Sequence, residues 1–123
     1  MPSDYLASLL LAAHWLICGY IHVARPEVPI AIMRSRLSRM TGLASTRVVK
    51  ASGVYMVLIG VLLAAPSGWA RSLGVWASLP LIALLIAVHS PRSVPRGLGW
   101  DPWEYATFAR ILALTAATIT VAS

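Results

Sequence analysis

Few side chains in this 123-residue sequence can do chemistry, and they stand at particular places. The stretch GYIHVARPEVP, residues 19–29, closes an apolar run with His22, Arg25 and Glu27. An imidazole, a guanidinium and a carboxylate so close together can form a polar site, or can simply meet water at a helix end. His14 precedes His22 by eight residues, about 12 Å along a helix, too far for the two to grip one metal ion. His22 and His89 close two apolar runs on the same expected side, but two imidazoles without a carboxylate at ligand spacing are a poor metal signal. Cys18 is the single cysteine; a C-x-x-C relay and a cysteine-only metal site are excluded, and it reads as small apolar filler. No metal and no resident cofactor are expected. Arg110 lies deep in the last apolar run, where a cation is costly and usually faces a partner. Glu104 lies about 240° round the helix from it, so Glu27 is the better-placed acid. The residues therefore offer a cluster of His22, Glu27 and Arg110. The alternative is an arginine that snorkels, with RPE as an ordinary helix exit.

The elements that must position these residues are apolar helices. The chain is 59% hydrophobic and 11% charged, with mean hydropathy +0.77. Soluble domains carry about 25% charged residues, so a soluble domain is excluded and the chain belongs in a bilayer. Four runs reach spanning length, at about residues 5–23, 48–65, 72–88 and 103–122. The expected fold is a single all-α integral membrane domain over residues 1–123, a four-transmembrane-helix bundle. The first run is expected to be retained, because Asp4 rather than a basic residue precedes it and no clear cleavage site follows.

Between runs one and two, Ile30, Met33, Leu37 and Met40 share one helical face. With Pro29 at the start and Gly42 at the stop, they predict a short amphipathic interfacial helix over residues 29–41. Arg34, Arg36 and Arg39 would meet lipid headgroups there, each contributing about 1 kcal/mol on an anionic surface. The formal net charge is +6. Five arginines in the first long connection, with Arg92 and Arg96 in the second, put both connections in the cytoplasm and both termini on the non-cytoplasmic side. Basic residues that flank apolar runs do not make a nucleic-acid groove. The segment HSPRSVPRGLGWDPWE is turn-rich, and DPWE opens the last helix with Asp101 as N-cap. In the second run, Gly53 and Gly60 lie about 20° apart round the helix, a stripe expected to face another helix.

GYIHVARPE, SGVYMVLIG, WARSLGVWASLPLIALLIAV and an arginine in the last helix form an ordered set. It resembles the DoxX-like family of small four-helix bacterial membrane proteins, whose members carry a G-x-x-H-F-x-R-P-E type exit from the first helix. The resemblance covers about residues 19–110. It implies a multi-pass protein of the bacterial inner membrane, and its redox members imply quinone chemistry. Two departures stand out. Met56 occupies the place of the family's second-helix glutamate, and HSPRSV replaces its asparagine after the third helix.

Two functions follow. In the first, the chain is a small accessory subunit packed against other integral membrane subunits of a larger complex, a redox complex among the candidates. Its lack of an acid within the spans favours this over an enzyme. In the second, it is a DoxX-like redox or quinone-interacting protein. His22 and Arg110 would then supply polar groups, with Tyr20, Tyr55 and His89 as candidate ligand contacts near an apolar slot. A small transporter is less favoured, because no inverted repeat or buried acid marks a coupling site.

Overall fold

The computed structural model describes residues 3–36, 45–89 and 102–122. They form five helices: α1 (Ser3–Ala24), α2 (Glu27–Arg36), α3 (Thr46–Ala64), α4 (Gly68–His89) and α5 (Pro102–Ala122). Three of them, α1, α3 and α4, are long and apolar enough to cross a membrane. Among the described residues of α5 an apolar stretch runs over Ala109–Ala122.

α1 packs on α3, α3 on α4, α4 on α5, and α5 returns to α1. The four long helices therefore close a ring. α1 and α3 run antiparallel: Tyr5 of α1 meets Ala64 of α3, and Gly19 meets Gly53. The core between them holds Leu11, Trp15, Met56, Ile59, Leu63 and Val75. Trp15 is 0% exposed, and its indole N–H has no hydrogen-bond partner.

The α1–α3 contact is close, and glycine makes it so. A Cβ on Gly19 would lie 2.7 Å from the Gly53 carbonyl oxygen, and one on Gly53 would lie 2.7 Å from the His22 Cβ. On Gly60 it would lie 2.6 Å from Leu16 Cγ. Without side chains at these points, two backbones can approach and gain dispersion contact that lipid tails cannot replace.

The helix ends are satisfied locally. The Ser45 hydroxyl caps α3 by accepting from the Val48 N–H at 3.2 Å. At the other end the carbonyls have lost their in-helix donors. Ser8 donates to the Leu63 carbonyl at 2.6 Å and Tyr5 to that of Ala64 at 3.2 Å. Arg71 donates to the Pro66 carbonyl at 2.7 Å and stacks over the Tyr5 ring at 5.2 Å. A cation there also suits the negative end of the α3 dipole.

α2 rests against α1, α3 and α4. It begins at Glu27, two residues before the expected Pro29 start, because the Val28 and Ile30 N–H groups find the Arg25 and Pro26 carbonyls. Pro29 still falls in the first turn, where its missing N–H costs nothing. The expected end of this helix and the Asp101 cap lie outside the described residues.

Candidate functional site

His22 sits near the end of α1. Its Nδ1 lies 2.7 Å from the Cys18 carbonyl oxygen; a carbonyl only accepts, so Nδ1 carries the hydrogen and Nε2 of the neutral ring keeps its lone pair. The ring borders an apolar cavity of about 180 Å³ between α2, α3 and α4, with Met33, Ser52, Met56 and Leu85 on its wall. The Ser52 hydroxyl is turned back onto the Val49 carbonyl at 2.8 Å.

Glu27 does not join His22 and Arg110. Its carboxylate accepts from Arg25 Nε at 2.5 Å, with both side chains largely exposed. The Arg25 hydrogen bond, helped by a backbone one, holds the Glu27 carboxyl below the usual carboxylate range. The cause is local. Pro26 turns the chain between the two residues, so the acid meets its near neighbour. Arg110 belongs to another level. From the start of α5 at Pro102 to Arg110 is eight residues, about 12 Å, more than the roughly one helical turn that an arginine spans.

What Arg110 does meet is a groove between α1 and α5. It has a volume of about 600 Å³, and its polar lining residues are His14, Cys18, Thr107 and Arg110. Its walls are otherwise apolar, with Leu10, Leu11, Ile111 and Leu114 among them. His14 Nε2 lies 3.7 Å from Cys18 Sγ, one turn on. The His14 ring meets Trp15 edge to face, with centroids 5.2 Å apart. Arg110 is exposed into this groove and has no acidic partner among the described residues.

The other candidates lie apart. Tyr20 is exposed on α1. The Tyr55 hydroxyl donates to the Ala77 carbonyl of α4 at 2.6 Å, so it joins two helices. Gly53 and Gly60 lie in the α1–α3 contact. Arg34 is exposed on α2, whereas the side chains of Arg36 and His89, and the whole of Arg39, fall outside the described residues. Among the described residues no three histidine, cysteine, aspartate or glutamate side chains come together as a metal site would need.

That His14 and Arg110 line one groove escaped the sequence reading. Depth along each helix was readable, but the face each residue presents was not. No family model matches the chain, and neither a curated protein nor a solved structure does.

Proposed function

We propose that this chain is a small DoxX-like integral protein of the bacterial inner membrane, with α5 as its fourth crossing, that serves as an accessory subunit packed against a larger membrane complex. One observation carries the reading: apolar side chains point outward on every long apolar helix. Leu10 and Ile17 on α1, Leu58 and Val61 on α3, and Leu73 and Trp76 on α4 are all exposed. Polar side chains meanwhile are spent on holding the fold. Ser8 and Tyr55 tie helices together, and Ser78, Thr115 and Thr118 bond back to carbonyls of their own helices. That distribution suits a protein whose outside contacts are lipid and other apolar helices. Affinity purification in a mild detergent tests the subunit role. A defined set of larger integral proteins should co-migrate on size exclusion at fixed stoichiometry. A chain that elutes alone, from membranes where it is expressed at natural level, overturns it.

A second reading has its own observation. The cavity under α2 places one imidazole, His22, in a mostly apolar wall near a helix end, and its Nε2 lone pair can accept from the hydroxyl of a quinol, the reduced form of a quinone ring. Saturable binding of a short-chain quinol, lost in His22→Leu, supports it; equal binding by that variant removes it.

A further inference from the structure

The α1–α5 groove holds a cation that nothing in the described fold neutralises. Arg110 is the ninth residue of α5, about 12 Å along the helix from its start. Among the described residues its groove contains His14, Cys18 and Thr107 as further polar residues and no carboxylate. Below that level the lining turns wholly apolar, through Leu10, Leu11 and Leu114 to Ala7 and Ala117. From His14 to Ala7 is one side of a slot about 10 Å long. In a bilayer, a lone cation at this depth is costly, and an anion that reaches it relieves the cost.

We propose that this groove binds a long-chain fatty acid anion, its carboxylate on Arg110 and the nearer half of its acyl chain along the slot between α1 and α5, with the remainder continuing among lipid tails. Three features select this occupant. One cation without an acidic partner among the described residues matches a monoanion, and a guanidinium pairs with a carboxylate through two parallel hydrogen bonds. A slot between two helices admits one chain, and about 600 Å³ lies within the usual range of ligand pockets. The depth of Arg110 also decides against a phospholipid. A phosphodiester with its glycerol and second tail is held at the headgroup level, whereas a carboxylate is small enough to be drawn inward. His14 lines the same groove. If the Cys18 thiol donates to its Nε2, the ring is the tautomer with hydrogen on Nδ1, and that N–H is available as a second donor.

The inference rests on the integral-membrane reading, so that is checked first. Membranes carrying the chain are washed with alkaline carbonate. Release into the wash removes the membrane reading and this proposal with it; retention leaves the ligand test to decide. Radiolabelled palmitate is then titrated against the purified chain in phosphatidylcholine nanodiscs. Saturable binding near one per chain is expected, displaced by unlabelled palmitate and not by hexadecanol, which keeps the tail and lacks the charge. Arg110→Gln should weaken binding at least tenfold, and Arg110→Lys should keep most of it. Ala113→Trp, which fills the groove from its exposed side while leaving the cation, should also abolish binding. Thermal unfolding confirms that each variant is folded. Non-saturable uptake, equal binding by Arg110→Gln, or equal displacement by hexadecanol overturns the proposal. So does displacement by phosphatidylglycerol at the same concentration as palmitate, which would give the groove to a phospholipid.

Discussion

Gly53 shows how little room one atom has in this molecule. A Cβ there would lie 2.7 Å from the His22 Cβ, 2.9 Å from the Gly19 carbonyl oxygen and 2.9 Å from Val23 Cγ2. Two of these neighbours are fixed to the backbone and cannot swing away, so a larger residue must push α1 off α3. Gly53→Leu is expected to cost about 3 kcal/mol, as overpacking does, seen as a fall in melting temperature in detergent. Melting unchanged from wild type would show that the two helices do not meet this closely. Glu27 is the opposite case. Its carboxyl is held low by Arg25, so any stability it contributes is present above the unfolded carboxyl value and lost as pH falls through the lower, folded one. The pair is exposed and screened by solvent. Melting of Glu27→Gln should therefore match wild type throughout an acid titration; a gap that opens above the carboxyl range and closes below it would give the pair a larger role. These residues also mark what a sequence discloses. The spacing of Gly53 and Gly60 fixes a shared helix face, so their packing role was readable. The partner of Glu27 was not, because a two-residue turn around Pro26 competes with any distant arginine and leaves no mark in the periodicity.

At the scale of the element, α4 carries a proline inside its apolar run. Pro80 has no N–H, so the Trp76 carbonyl loses its usual donor and the ring crowds the preceding turn. Tyr55 of α3 answers at the next carbonyl, Ala77, with a bond of 2.6 Å. A neighbouring helix thus resupplies hydrogen bonding that the proline disrupts, as an apolar surrounding requires. Tyr55→Phe is expected to cost about 1 kcal/mol, and less in a Pro80→Ala background, where the helix can close its own bonds. A double-mutant cycle measures this; identical losses in both backgrounds would separate the tyrosine from the proline. The helices themselves were legible to within a few residues, since each is a long apolar run. α4 begins at Gly68, ahead of the expected residue 72, because its first turn is secured by the Ser67 carbonyl accepting from the Arg71 N–H at 3.2 Å. That bond depends on the α3–α4 turn, which hydropathy does not see.

For the whole molecule, charge and connectivity give the fold a direction. The antiparallel packing of α1 on α3 puts the N-terminus of α1 and the α3–α4 turn at one end, with α2 and the start of α3 at the other. Arg25, Arg34, Arg47 and Lys50 are exposed at the α2 end. Arg71, at the opposite end, is instead spent on the Ala65 and Pro66 carbonyls and the Tyr5 ring. The asymmetry of free positive charge is therefore sharper in three dimensions than residue counts imply, and the more basic end should face the cytoplasm. Single cysteines in a Cys18→Ala background test this. Gly68 accepts a side chain freely, since the nearest atom to an added Cβ is Arg71 Nη2 at 4.0 Å, and Arg34 is already exposed. On intact cells with a permeable outer envelope, a membrane-impermeant maleimide should label Gly68→Cys at once and Arg34→Cys only after the membrane is broken. The reverse pattern would mean that the chain is inserted the other way up, against its own arginines. Equal labelling of both before lysis would mean that α3 does not separate them across a bilayer, and the crossing assigned to that helix would fail.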